Sequence, residues 1–175
     1  MIELRPAEFS EYAKIAQLHA SSWKKTYRGI LSDWFLNNEV ETVLLQKWQN
    51  RLSSPAINQK ITLAIKDNLV VGFSCIYLDD NSCFGTLLDN LHVSASCQRL
   101  GVGKLLMKNC AGLILQGSNN HKMYLWVFEA NQTARQVYKR LGGENVEILK
   151  KQHEDGTEAT VCRYVWKDVT TLFTF

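Results

Sequence analysis

Apolar positions along the chain change their period several times, and each change marks a new element. Ile2 and Leu4 alternate with polar neighbours ahead of Arg5-Pro6, which predicts a short first strand. From Tyr12 the period lengthens: Ile15, Ala16 and Trp23, with His19 between them, form the stripe of an amphipathic helix. A histidine on such a stripe could serve as a ligand or a base, and more often it is a hydrogen-bonded packing residue. The aromatic segment WKKTYRGILSDWFL, residues 23–36, is broken by Gly29 and predicts a loop or a pair of short helices. Val40, Leu44, Leu45, Trp48 and Leu52 give another helical stripe, ended at Ser53-Ser54-Pro55.

The stretch ITLAIKDNLVVGFSCIYL then reads as a hairpin, two β-rich runs joined at Asp67-Asn68, where asparagine tolerates positive φ. Residues 79–82 predict a polar turn, and 84–93 a further strand. Val102, Leu106, Cys110 and Leu113 recur at helical spacing until Gln116-Gly117. Residues 122–128 form another strand pattern. Ala134, Val137, Tyr138 and Leu141 mark a helix that stops at Gly142-Gly143. The remainder predicts two strands around a turn at Asp155-Gly156. The order is strand, two helices, three strands, helix, strand, helix, two strands, which is a mixed α/β layer fold. With no repeat, linker or low-complexity segment, residues 1–175 read as a single domain.

Composition narrows the function classes. A chain of 175 residues with 46% hydrophobic and 21% charged positions has the balance of one ordinary globular domain. The net charge of +3 is scattered, so no basic stripe argues for nucleic acid, while an anionic ligand is well suited. The first residues carry no apolar leader pattern and no run is long enough to span a bilayer, so the expectation is a cytoplasmic protein without a membrane partner. Cys75, Cys83, Cys97, Cys110 and Cys162 form no C-x-x-C pair, and His19, His92, His121 and His153 do not cluster with them. No metal site is expected. Monomer and homodimer both remain open.

The chemistry is concentrated in QRLGVG, residues 98–103, between a strand pattern and a helical one. A Walker loop would need a serine or threonine after Gly103-Lys104, where Leu105 stands. A dinucleotide fingerprint would need a third glycine or alanine where Leu106 stands. What survives is a loop whose peptide N–H groups lead into a helix N-terminus, which attracts an anion. Gly101 and Gly103 would let a pyrophosphate approach the amides, with Arg99 and Lys104 beside it. The same glycines could equally serve only a tight turn.

Three segments together carry a resemblance. Q-x-x-G-x-G after a strand ending LHV resembles the coenzyme A loop of the GNAT superfamily of N-acetyltransferases. LWVFEANQTARQVYKRLGG resembles that superfamily's next strand and helix, with Asn131 and Tyr138 at matching positions. The W-x-x-x-Y-x-G-I-L pattern from Trp23 resembles the substrate side of one bacterial-type branch. The resemblance implies the GNAT-like fold: a central mixed sheet with two splayed parallel strands and flanking helices. Acetyl-CoA would be the co-substrate and an amine the acceptor. Leu91, His92 and Val93 would meet the pantetheine arm, and Gln98, Arg99, Leu100, Gly101, Val102, Gly103 and Lys104 the pyrophosphate. Asn131, Ala134 and Tyr138 would line the cofactor from the following helix. Asparagine is also a good helix N-cap, and Tyr138 also sits on an apolar stripe. In the superfamily the matching tyrosine protonates the departing thiolate.

The general base stays open. The strand GTLLDNLHV lacks the glutamate that some members carry, leaving Asp89, His92 and Glu129 as local candidates. Trp23, Tyr27, Gly29 and Ile30 are expected near the acceptor, although their aromatic rings would also pack a helix. A non-catalytic acyl-CoA binding or regulatory domain is the alternative to an N-acetyltransferase.

Overall fold

A computed structural model of the chain describes residues 1–174. Seven strands form one sheet: β1 (Glu3–Pro6), β2 (Gln59–Lys66), β3 (Leu69–Asn81), β4 (Gly85–Val93), β5 (Met123–Phe128), β6 (Glu144–Gln152) and β7 (Glu158–Trp166). Their spatial order is β1-β2-β3-β4-β5-β7-β6. All neighbours run antiparallel except β4 and β5, which are parallel.

The Asp67-Asn68 hairpin turn forms as expected, with both residues at positive φ (50° and 62°), the pairing that matches strand twist. Two expectations need correction. Three helices, not two, separate β1 from β2: α1 (Tyr12–Thr26), α2 (Asp33–Asn38) and α3 (Val40–Ser53). The extra one is only six residues long, begun by the Ser32 hydroxyl, which accepts the Phe35 N–H. A helix this short shows too little periodicity to register in the pattern. The polar turn expected at 79–82 is also displaced, because β3 continues through Asn81.

Helices α4 (Val102–Gly117) and α5 (Gln132–Arg140) cover the opposite face of the sheet from α1–α3. Alternation along β3 divides the two cores. Phe73 and Cys75 join Ile15, Leu36, Leu44 and Trp48 beneath α1 and α3. Ile76 and Leu78 join Met107, Cys110 and Ile114 beneath α4. The chain end returns to this second core, where Val169 and Leu172 are buried. Among the described residues, no helix is long and apolar enough to cross a membrane.

Candidate active site

The site grows out of the one parallel seam. β4 and β5 pair only at Thr86–Met123 and Leu87–Tyr124, and then part. Just beyond that point β4 carries a bulge: Cys75 pairs with Asn90 and Ile76 with Leu88, so Asp89 is the extra residue. A bulge bends its strand and ends regular pairing, and it is a frequent device beside active sites.

The bulge also reverses which residues turn their backbone toward β5. Before it, the Thr86 N–H donates to the Lys122 carbonyl on the β5 side. After it, the Ser94 N–H donates to Val71 on the β3 side. Alternation then leaves Leu91 and Val93 with their N–H and C=O groups facing the gap that β5 has vacated. The Val93 carbonyl also accepts from the Gln98 side chain at 3.4 Å. An unpaired strand edge inside a cleft is a template for an amide-containing chain.

At the wide end of the gap lies the start of α4. The first helical bond runs from the Leu105 N–H to the Gly101 carbonyl, so the N–H groups of Val102, Gly103 and Lys104 have no helical partner. Gly101 caps the helix at φ +82°, which a side chain would strain, and Arg99 precedes it at φ +65°. Gly103 is different: a Cβ there would meet only Leu91 and Val93 methyls at 3.8 Å. Nothing in the chain forbids a side chain at Gly103. Gln98, Arg99, Leu100 and Lys104 are exposed around this opening, whereas the Val102 side chain is buried beneath it. Val102 can therefore offer only its backbone.

On the far side of the gap, Asn131 caps α5 by accepting the Ala134 N–H at 3.2 Å. The Glu129 backbone carbonyl accepts from the Arg135 guanidinium at 3.0 Å, which fixes the turn between β5 and α5. Tyr138, one turn beyond Ala134, packs its ring 6.0 Å from both Tyr164 and Trp166. Burial pushes the Tyr138 phenol above its ordinary range, and the Tyr27 phenol on the other face adds to the effect. It is fully protonated at neutral pH.

The α1–α3 face supplies the other wall. Tyr27 ends α1 and stands edge-on to Phe128 at 4.7 Å, reaching from the helical layer to the end of β5. Burial raises its phenol to about 12. Trp23 packs between His19 and Tyr27. Gly29 turns at φ +76° on the surface, and Ile30 is half-buried against the first core. Of the four residues expected near an acceptor, Trp23 and Tyr27 share this aromatic wall, while Gly29 shapes the turn after it.

His92 lies on this same face and Leu91 on the other, as strand alternation requires. The His92 ring is 4.3 Å from His19 and 5.3 Å from Phe73. Its Nδ1 is 2.9 Å from the Ser22 hydroxyl, and burial lowers it to about 4. His19 is fully buried and accepts the Trp48 indole N–H at 3.0 Å, the packing role its place on the stripe suggested. Asp89 is tied to Arg51 at 2.8 Å, and Arg51 also donates to Asn90.

Sequence reasoning missed Ser22, and it missed the tip of the β6–β7 hairpin. There the Asp155 carboxylate accepts the Ser32 N–H at 2.6 Å, Glu154 pairs with Lys47, and the His153 ring lies tilted against Phe128 at 4.7 Å. A serine on a polar helix face and a turn aspartate carry no local mark of such distant partners.

Residues 15–143 match the acetyltransferase (GNAT) family. The chain belongs to that family. It is an N-acetyltransferase. Among curated relatives, an uncharacterized N-acetyltransferase, YuaI, of Bacillus subtilis is 24% identical over 180 residues, spanning 99% of this chain and 98% of its own. Among solved structures, the PaiA N-acetyltransferase of Thermoplasma acidophilum, in complex with coenzyme A, superposes with a TM-score of 0.71 at 17% identity. It covers 95% of this chain and 99% of its own. YncA of Salmonella typhimurium, solved with its cofactor acetyl-CoA, gives a TM-score of 0.67 at 14% identity over 95% and 93%. At these identities the structural likeness speaks for the fold.

Proposed function

We propose that residues 1–175 act as one domain that moves an acetyl group from acetyl-CoA to a primary amine by direct attack. The observation that carries this reading is the parting of β4 from β5 beside the free N-terminus of α4. A pantetheine arm in the gap would bond to the backbone around Leu91, His92 and Val93. The pyrophosphate would rest on the loop from Gln98 to Lys104, where unpartnered N–H groups and two exposed cations favour negative charge. The solved relatives that carry coenzyme A and acetyl-CoA support this arrangement.

Asn131 and Ala134 would flank the arm, and Tyr138 would protonate the departing thiolate. A phenol with a raised pKa keeps its proton until a strong base appears beside it. A thiolate formed in the same desolvated cleft has its basicity raised in the same way, which drives the transfer. Acceleration would come chiefly from positioning, together with a backbone amide in the gap that polarises the acetyl carbonyl. The amine would approach from the α1–α3 side, along Trp23, Tyr27, Gly29 and Ile30. Its proton would pass to a nearby base, for which Glu129 and His92 are the candidates.

Two measurements test the proposal in sequence. Calorimetric titration should show tight binding of acetyl-CoA and none of ATP. Thiol release should then appear with some members of a panel of amines. Folded protein that fails to bind acetyl-CoA would sink the reading. Binding without thiol release across a broad panel would leave a non-catalytic acyl-CoA binding domain instead.

A further inference from the structure

The pair formed by Ser22 and His92 does more than pack α1 onto the sheet. We propose that Ser22 holds His92 in the tautomer whose Nε2 is an open lone pair, and that this nitrogen takes the proton lost by the attacking amine. The inference rests on the reading that the chain acetylates an amine.

Three observations carry it. First, His92 sits on the opened stretch of β4, on the face turned to α1, with its Nδ1 2.9 Å from the Ser22 hydroxyl. The two nitrogens of an imidazole point in diverging directions, so Nε2 turns away from Ser22. Second, Ser22 lines a cleft of about 440 Å³ between α1 and the segment leading to α4, bounded by Lys14, Ser21, Lys25, Ser94 and Gln98. Water in that cleft, beside the polar side chains of Ser21, Ser94 and Gln98, can accept the serine hydroxyl proton, which frees Oγ to accept from Nδ1–H. Third, His19 and Asp89, the titratable groups nearest on this face, are already engaged. Neutral His19 must carry its proton on Nε2, because its Nδ1 accepts from Trp48. Asp89 is neutralised by Arg51.

Burial keeps the His92 ring neutral at physiological pH, so its lone pair is free before the reaction. In the step itself, the bound ammonium gives one proton to Nε2, and the N–H electron pair stays on nitrogen as a lone pair. That lone pair forms the N–C bond to the acetyl carbon. The C–S bond then breaks with its pair leaving on sulfur, and the second N–H proton that nitrogen sheds reaches the sulfur by way of the Tyr138 hydroxyl. The imidazolium, disfavoured by its burial, gives its proton back to water as product departs. Ser22 is a positioning residue here, because it acts through His92.

The ¹⁵N–¹H histidine spectrum at pH 7 tests the tautomer without any acceptor, with the His92 signals identified by their loss in His92→Gln. The expected result is a protonated Nδ1 and a bare Nε2 in the wild type, turning into a tautomer mixture in Ser22→Ala. A wild-type His92 protonated on Nε2 would overturn the proposal. Thiol release then reads the chemistry with two probes, propylamine, which is protonated at neutral pH, and 2,2,2-trifluoroethylamine, which is not. His92→Gln and Ser22→Ala should slow propylamine about a hundredfold and about tenfold, and trifluoroethylamine much less. Ser22→Thr, which keeps the hydroxyl, should restore the rate. Equal losses with both amines would make the pair structural only. Wild-type thiol release tests acetyl transfer itself, whereas the ratio between variant and wild type tests the base, so the two can fail separately.

Discussion

The Asp155 carboxylate accepts the backbone N–H of Ser32 at 2.6 Å, joining two residues 123 positions apart. The bond fastens the β6–β7 hairpin to the loop that starts α2, beside Tyr27 and Phe128. Asp155 also accepts the N–H and hydroxyl of Thr157, so the tip is braced on both sides.

Removing that clasp should loosen the hairpin tip against the start of α2. Asp155→Ala is expected to cost about 1 kcal/mol in urea unfolding, the usual value of a lost hydrogen bond to backbone. Hydrogen exchange should rise at the tip and around Ser32. Burial works to raise the Asp155 carboxyl, but the bonds from Ser32 and Thr157 together outweigh it and hold the group below its usual 3.8. A folded-state pKa below the unfolded one stabilises above that value, and the benefit fades as pH falls through the lower folded value. The difference between wild type and Asp155→Ala should therefore be full at pH 6 and shrink below pH 4. A constant difference down to pH 2 would mean that the charge plays no part.

Tyr138→Phe removes a hydroxyl and leaves the ring that packs near Tyr164 and Trp166. Turnover should fall about a hundredfold while acetyl-CoA affinity stays within a few-fold. Steady-state thiol release and calorimetry on the same protein separate the two effects. Unchanged turnover would remove Tyr138 from the chemistry.

Gly103→Ala probes the cofactor loop more cleanly than any change at Gly101, whose φ of +82° would be strained by a side chain. The new methyl would touch Leu91 and Val93 at ordinary contact distance, so the fold should keep its stability. Acetyl-CoA binding should weaken at least about tenfold, because the methyl intrudes where the backbone N–H groups would be approached. Equal affinity would take the loop out of the site.

Two histidines, His19 fully buried and His92 half-buried, tie stability to pH. His19 is lowered well below 6.5 and His92 to about 4, so the unfolded chain binds these protons first. Stability should hold above about pH 7 and decline as pH falls below 6.5 toward 4, by up to about 1.4 kcal/mol per pH unit for each histidine. Urea midpoints at pH 7, 6 and 5 check the slope, and His92→Gln should remove its share. Trp48→Phe, which strands His19 Nδ1 without a donor, should cost about 1–3 kcal/mol at pH 7.

Much of the framework was legible because it depends on neighbours in sequence. Periodicity marked the strands and the longer helices, Asp67-Asn68 announced its turn, Asn131 its cap, and Gly101 the bend before α4. The resemblance of residues 98–103 and 125–143 to a known family pointed to the proposed cofactor site. Other features could not be read that way. Only pairing with β3 decided that Asp89 is the bulged residue, and hence that Leu91 and Val93 face the gap while His92 faces α1. Ser22 meets His92 across 70 positions, and Ser32 meets Asp155 across 123. Sequence pattern records which face of an element is apolar, because burial acts on every turn and every second residue. The partner that a polar side chain meets is set by register and by the packing of distant elements, and that exists only once the chain has folded.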